Sequence, residues 1–223
     1  MNNNNIYEVE KHINPNSSGI EFKLSNPWII WINYCKDSWD NRKLIPVYKF
    51  STIAGFWSLI NNIKLIENQQ IIFMREGIEP LWEDKNHING GYCGVNLSDD
   101  DNNNEIFISC LLGIIGETFC DKLYNSLNIT GITYMNYPKK SQLKIWTNGG
   151  KLNNEMPLCP IHISTEYLDI LSYSDNTKKI YYVSFNDIKK SKNKNKDINR
   201  SDKRKYNNDR YRNTRYQTRY NDR

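Results

Sequence analysis

The sequence predicts an α+β domain built on one curved antiparallel β-sheet, with helices gathered on a single face and a polar tail at each end. Six short runs rich in β-branched and aromatic residues are bounded by turn residues, as strands are. These runs are 27–34, 70–74, 91–97, 130–135, 143–147 and 180–185. Three helices separate them, and strands interrupted in this rhythm favour one sheet covered on one side.

The helices are predicted from apolar residues that recur every three or four positions. Residues 52–63 form the first helix, capped by Ser51 or Thr52. Its apolar face holds Ile53, Phe56, Trp57, Ile60 and Ile63. Residues 104–116 form the second helix, with a shared face of Ile108, Leu111, Leu112 and Ile115. A third helix is predicted near 163–172.

The charge distribution divides the 223 residues into three parts. Residues 189–223 hold fourteen Lys and Arg against four Asp, which is +10, so the total of +5 leaves −5 for residues 1–188. We predict a disordered segment over 1–21, a folded domain over 22–186 and a basic disordered tail over 187–223. The Arg-Tyr pairs of the tail are typical of single-strand nucleic-acid binding, although a solubilising or localising role explains them equally well.

Several classes of protein are excluded by composition. No run approaches the roughly 18 to 20 apolar residues of a membrane helix, and the N-terminus lacks a signal core. Five cysteines without a CxxC pair and three scattered histidines predict free thiols rather than disulfides or zinc. We find no glycine-rich nucleotide loop and no nucleophile with a base, so we expect that the protein is not an enzyme and needs no cofactor. The free thiols and the missing signal core indicate a cytoplasmic protein, and we expect it to be a monomer.

Six tryptophans suggest a ligand that stacks on aromatic rings. Trp28 and Trp31 lie in an apolar run and are predicted to pack in the core, whereas Trp39 and Trp82 lie in polar loops. Glu83 follows Trp82, and a carboxylate can accept the paired N1–H and N2–H of guanine. A guanine methylated at N7 is cationic, so two indole faces would add about 0.5 to 2 kcal/mol each through cation–π attraction. A structural loop remains the alternative.

The run GIEPLWED at 77–84, followed by Gly90 and Gly91, resembles the signature of the eukaryotic initiation factor 4E family, whose members bind the mRNA cap. Further matches occur in the family's order from about residue 22 to 185. They are WIIW at 28–31, Trp39, FWSLIN at 56–61, CLLGIIGETF at 110–119 and KIWT at 144–147. The resemblance implies a concave sheet face that holds the cap and a convex face that carries the three helices. The biased Asn, Ile and Lys usage is compatible with a viral or parasitic origin.

The resemblance also implies roles for single residues. Trp39 and Trp82 would hold the methylated base between them, Glu83 would accept its N–H groups, and Trp146 would contact the methyl group. The phosphate side departs from the family, because Tyr92, Tyr137 and Gln142 stand where basic residues are usual. We therefore expect weaker or differently shaped recognition of the triphosphate, with its contacts supplied by Lys139, Lys140 and Lys144.

A partner surface is implied on the convex face. A scaffold protein resembling initiation factor 4G, or a 4E-binding protein, would contact Ile53, Trp57, Ile108, Leu112 and Gly116. Two alternatives stay open. In the first, Trp57 has a packing role and completes the apolar face of its helix rather than contacting a partner. Ser109 replaces a usually acidic residue, so the protein would instead be a repressor that captures capped mRNA without recruiting the scaffold.

Overall fold

We analysed a computed structural model of the protein. It describes residues 21–33, 44–65, 69–97, 102–121, 128–136, 141–149, 163–172 and 180–190. The chain divides into two compact units, Met1–Phe185 and Asn186–Arg223. The sheet and its helices belong to the first unit.

In the described part of this unit there are seven strands and three principal helices. The strands are β1 Lys23–Asn33, β2 Leu44–Thr52, β3 Gln69–Arg75, β4 Gly91–Asn96, β5 Ile129–Asn136, β6 Gln142–Thr147 and β7 Ile180–Ser184. The helices are α1 Ile53–Asn62, α2 Asn103–Ile115 and α3 Thr165–Ser172. A 3-10 turn spans Lys85–His87, and residues 185–190 form a further short helix.

The strands form one curved antiparallel sheet in the order β2-β1-β3-β5-β6-β4-β7. The predicted fold class is therefore confirmed, and all six predicted strands and all three helices are present. Strand β2 was not among the six runs, because Pro46 and Lys49 interrupt its apolar pattern. β2 lies at the edge of the sheet, where a proline can be accommodated because one side of the strand needs no hydrogen-bonded neighbour.

The core lies between the sheet and the helices and is rich in aromatic side chains. Phe56 of α1 packs on Phe50 with ring centroids 5.7 Å apart. Phe107 of α2 stacks on Tyr134 at 4.7 Å and contacts Phe73 at 6.1 Å. Burying a ring of this kind stabilises the fold by roughly 1.5 to 3 kcal/mol, so these contacts hold both helices on one face of the sheet.

Helix α1 begins at Thr52, whose Oγ1 accepts a hydrogen bond of 3.1 Å from the backbone N–H of Gly55. The predicted apolar face of α1 is only partly buried. Phe56 is buried, but Ile53 and Trp57 are each 43% exposed. Trp57 touches Phe56 edge-on, with ring centroids 5.2 Å apart, and leaves much of its ring in solvent.

The predicted common face of α2 divides in the same way. Leu111 and Ile115 are buried in the core, whereas Ile108 is half-buried and Leu112 is 37% exposed. Leu112 therefore lies at the exposed border of this face, and it also belongs to the predicted partner surface. Consecutive residues of a helix are rotated by about 100°, so Leu112 is turned away from the core position of Leu111.

The two tryptophans of β1 lie on opposite faces of the sheet. Trp28 is 1% exposed in the core, where the Arg75 guanidinium lies 5.0 Å from its ring centre. Trp31 is half-buried on the other face, so its predicted place in the core was wrong. Side chains three positions apart on a strand point in opposite directions.

Cys93, Cys110 and Cys120 form no disulfide with one another, while Cys35 and Cys159 lie outside the described residues. Complete burial raises the pKa of Cys110 to about 12, so its thiol is a packing group rather than a nucleophile. Among the described helices, none has the length and apolar character to cross a bilayer.

Candidate ligand-binding site

The candidate site is the open face of the sheet, which we define as the face opposite the helices. Strand register brings side chains from five strands into two neighbouring rows on this face. One row is formed by Met74, Gly131, Trp146, Tyr92 and Val183. The other is formed by Ile72, Thr133, Lys144, Gly94 and Tyr181. Trp146 and Lys144 therefore share this face, as strand alternation predicts.

Trp146 lies at the centre of an aromatic group. Its indole N–H donates a 2.8 Å hydrogen bond to Thr133 Oγ1, which fixes the plane of the ring. The ring centre lies 5.2 Å from that of His87 and 5.3 Å from that of Phe185. Trp146 stays half-buried, so part of its ring is accessible from the open side of the sheet.

Residues 76–90 form the loop between β3 and β4, and this loop carries Trp82 and Glu83. Gly77 has a φ of 80°, which favours glycine over other residues at the first turn. The Asp84 carboxylate accepts hydrogen bonds from the backbone N–H of Glu79 at 3.0 Å and of Asn86 at 2.7 Å. Partial burial opposes ionisation of Asp84, but these hydrogen bonds outweigh it and lower its pKa. The loop therefore has its own internal support.

His87 attaches this loop to the sheet. Its side chain is completely buried, with Nδ1 2.7 Å from the Leu81 carbonyl oxygen and Nε2 2.9 Å from Thr130 Oγ1. Because a carbonyl only accepts, Nδ1 carries the proton, and Nε2 accepts from the Thr130 hydroxyl in the neutral ring. Burial lowers the pKa of His87, although its hydrogen bond to Leu81 and the charge of Asp84 oppose the shift. Leu81 immediately precedes Trp82, so a neutral His87 holds the backbone beside that tryptophan.

The predicted base-site residues are described in part. Trp82 is half-buried and Glu83 is exposed. Trp39, the other predicted side of the sandwich, lies outside the described residues, as do Lys139 and Lys140. Lys144 is described, and its Nζ lies 5.0 Å from the ring centre of Tyr92.

Two of the three positions where the resemblance implies a basic residue, Tyr92 and Gln142, belong to one cluster on the open face. Tyr92 meets Tyr181 nearly edge-on, with ring centroids 6.4 Å apart. Gln142 Nε2 donates to the Tyr181 hydroxyl and, over 2.9 Å, to Asn96 Oδ1. Burial, reinforced by the neighbouring Tyr181, raises the pKa of Tyr92, so its phenol is neutral at physiological pH. The third position, Tyr137, lies outside the described residues.

The predicted partner residues lie on two helices. On α1, Ile53 and Trp57 are one turn apart and exposed. On α2, Ile108, Leu112 and the following Gly116 are spaced by four residues, and they range from half-buried to exposed. Ser109 beside them is half-buried.

Sequence reasoning missed the roles of His87, Thr130 and Thr133. The one available signal was a histidine five residues after Trp82, but its partner Thr130 is forty-three residues away and nothing local points to it. Within the described residues, no group of three or more His, Cys, Asp or Glu side chains is arranged to hold a metal ion.

Comparison with known proteins supplies a family. The family model described as "Eukaryotic initiation factor 4E" matches residues 23–200. Among the relatives, an uncharacterized protein of Acanthamoeba polyphaga mimivirus is 29% identical over 82% of this chain and 98% of its own length.

Two solved structures have a similar fold. The C. elegans eIF4E-3, in complex with the 4E-binding protein Mextli and a cap analog, superposes with a TM-score of 0.59 at 23% identity, covering 76% of this chain and 96% of that one. The Ascaris suum eIF4E-3, in complex with an m2,2,7G cap, gives a TM-score of 0.56 at 25% identity, covering 74% of this chain and 92% of that one.

Proposed function

Because the chain belongs to the eukaryotic initiation factor 4E family, we propose that it is a cap-binding protein of translation initiation that holds the 7-methylguanine end of an mRNA on the open face of its sheet. The family match supports cap binding in translation. A solved structure of similar fold has a cap as its ligand. Stacking and hydrogen bonding hold this ligand, and the proposed function is binding without any chemical change of the cap.

The proposed base site rests on the arrangement of the side chains around Trp82. A half-buried indole and an exposed carboxylate, Glu83, follow each other on a loop that His87 fastens to the sheet beside Trp146. We assign one face of the base to Trp82 and the other to Trp39. Glu83 accepts the guanine N1–H and N2–H, and Trp146 contacts the methyl group. A loop fixed in advance limits the entropy that would be lost on binding.

The triphosphate requires positive charge beside this base site. Lys144 lies on the same sheet face as Trp146 and supplies one charge. We assign the remaining phosphate contacts to Lys139 and Lys140. Lysine offers charge without the two-pronged geometry of arginine, so this clamp would discriminate less sharply between phosphate geometries.

Partner binding is proposed on the exposed residues of α1 and α2. An apolar ring such as Trp57, left 43% exposed, favours a partner surface over a purely structural role. The partner would be a scaffold protein resembling initiation factor 4G or a 4E-binding protein, as Mextli is for the C. elegans eIF4E-3. The site of action would then be the cytoplasm, or the host cytoplasm for a viral protein. A repressor that holds the cap without recruiting a scaffold would lack this second interaction.

The base site is tested by tryptophan-fluorescence titration with 7-methylguanosine triphosphate and, in parallel, with GTP. We expect quenching only with the methylated nucleotide, because only the methylated base carries the cationic charge that stacking between indoles rewards. The Trp82→Ala variant should lose about 5- to 150-fold in affinity, since base stacking on an aromatic ring contributes about 1 to 3 kcal/mol.

Trp57→Ala is the matched control for Trp82→Ala, because it removes another partly exposed indole far along the chain from the loop. Its affinity for 7-methylguanosine triphosphate should equal that of the wild type. Equal responses to the methylated and unmethylated nucleotides in the wild type would overturn the proposal.

A further inference from the structure

The tyrosine platform, which we define as Tyr92 and Tyr181, extends the open face beyond Trp146. Tyr92 is paired with Trp146 across β4 and β6, so the platform begins directly beside that residue. Phe185 joins them, with its ring centre 5.3 Å from that of Trp146 and 6.2 Å from that of Tyr92. Both tyrosines are half-buried and leave part of their rings accessible.

Gly94 allows Tyr181 to lie across strand β4. A Cβ atom built at Gly94 would come within 2.5 Å of the Tyr181 ring carbon Cζ, so no other residue could occupy this position without displacing the ring. The phenol end of Tyr181 therefore lies over Gly94 and fills the space that a side chain at this position would take.

Gln142 fixes the other end of Tyr181. Its amide nitrogen donates one N–H to the tyrosine hydroxyl and the other to Asn96 Oδ1, so neither remains for a phosphate. At a position where the family resemblance implies a basic residue, this chain has a side chain that holds an aromatic ring. Lys144 adds a cation at the edge of the platform, with its Nζ over Tyr92.

We propose that Tyr92 and Tyr181, whose ring planes are nearly perpendicular, form an aromatic stacking subsite for the nucleobase that follows the cap: the base stacks on Tyr181 and meets Tyr92 at the edge of its ring, with Lys144 beside the phosphates that link the two nucleotides. This inference rests on the proposed cap-binding function and specifies its ligand as a capped oligonucleotide rather than the isolated cap nucleotide. Every base has a π-face, so the subsite accepts any first nucleotide, with a preference for the larger purines. Aromatic contact with this base replaces part of the affinity that a basic clamp would draw from the triphosphate.

The test compares two ligands of the full-length protein by isothermal titration. One is 7-methylguanosine triphosphate, and the other is the dinucleotide in which the same triphosphate joins 7-methylguanosine to adenosine. We expect the dinucleotide to bind about tenfold more tightly, which corresponds to one stacked base. The dinucleotide has no additional phosphate and its terminal phosphate is esterified, so charge attraction to the basic tail cannot produce this gain.

Variants of Tyr181 separate the ring from its hydroxyl. Tyr181→Leu should bring the two affinities to within about twofold of each other, while leaving that for 7-methylguanosine triphosphate unchanged. Tyr181→Phe should keep most of the dinucleotide advantage, because it keeps the ring. Thermal unfolding of each variant shows whether the sheet is intact, and Tyr92→Leu provides the same test from the neighbouring strand if Tyr181→Leu fails to fold.

The ratio of the wild-type affinities for the dinucleotide and for 7-methylguanosine triphosphate tests the stacking subsite without any variant. If the protein binds 7-methylguanosine triphosphate as tightly as the dinucleotide, or more tightly, the stacking subsite is wrong while cap binding stands. If it binds neither ligand, cap binding itself is wrong. A tenfold advantage that survives both Tyr181→Leu and Tyr92→Leu would place the second base elsewhere and would overturn the assignment to these tyrosines.

Discussion

At the residue scale, His87 shows how a buried polar side chain can support a binding loop. Both ring nitrogens have partners, one on the loop at Leu81 and one on the sheet at Thr130. The rings of Trp146 and Phe185 close around it at 5.2 and 5.5 Å. The charge of Asp84, on the same loop, favours a protonated imidazole, while the sheet contributes the neutral hydroxyl of Thr130. Protonation would place a positive charge in a buried site. The free-energy cost of burying that charge exceeds the stabilisation that Asp84 provides, so the pKa is lowered.

The stability of the protein should therefore fall as the pH decreases below about 6.5, the ordinary pKa of histidine. The pKa of His87 is lowered in the folded state, so in this range the unfolded chain binds more protons, and stability rises with pH. The contribution is complete above about pH 6.5 and is lost as the pH falls toward the folded pKa. Urea unfolding between about pH 5 and about pH 7.5 measures it.

His87→Gln should remove most of that pH dependence and cost about 1 to 3 kcal/mol at neutral pH, because a buried hydrogen-bonding group loses its partner. His162→Gln is the control, since it removes a histidine outside the described residues and should keep the wild-type slope. A His87→Gln protein with the same slope as the wild type would show that another group titrates. The Gln variant should also bind the cap more weakly, because Trp82 follows the anchored Leu81.

At the element scale, the exposed apolar residues of α1 and α2 require an explanation that packing does not give. Ile53 and Trp57 are each 43% exposed, although the buried residues of α1 already attach it to β2. Leu112 is similarly exposed on α2, one turn before Gly116. Residues three or four positions apart on an amphipathic partner helix could cover such a surface.

Replacing Trp57 with alanine should reduce binding of a 4E-binding peptide by at least about tenfold, because a tryptophan at the centre of an interface contributes about 2 kcal/mol or more. Cap affinity should be unchanged. Fluorescence anisotropy of a labelled peptide measures the first, and titration with 7-methylguanosine triphosphate measures the second. Trp82→Ala should show the converse pattern. Loss of both activities in Trp57→Ala would favour a packing role, and a wild-type protein that binds no such peptide would favour the repressor.

The sequence was sufficient to predict most elements but not how their faces are used. The strands and helices were predictable because apolar spacing is a local property, and β2 was missed because Pro46 breaks the pattern. The exposure of Trp57 was not predictable from α1 alone, since it depends on how much of the helix the sheet covers. The anchoring of Leu81 by His87 and Thr130 was equally inaccessible, because these groups come together only through the sheet.

At the scale of the whole molecule, opposite charges are separated along the chain. Residues 191–223 contain twelve Lys and Arg against four Asp, a net charge of +8, whereas residues 1–188 carry −5. The structure does not describe residues 191–223, so their role is argued from composition alone. A cationic segment attached to a cap-binding domain would raise the effective concentration of the RNA body near the domain.

Deleting residues 191–223 should weaken binding to a long capped RNA by about tenfold at low salt and leave binding to the cap dinucleotide unchanged, because only the long RNA can reach both the domain and the tail. The slope of log affinity against log salt should become shallower by about 0.7 for each phosphate contact that the tail makes to single-stranded RNA. Filter binding over a series of salt concentrations measures both effects.

A variant with Tyr211, Tyr216 and Tyr220 changed to alanine keeps the tail's charge, so its affinity separates base stacking from phosphate attraction. If the deletion weakens the dinucleotide equally, the tail acts on the folded domain rather than on RNA, and if it weakens neither ligand, the tail serves solubility or localisation.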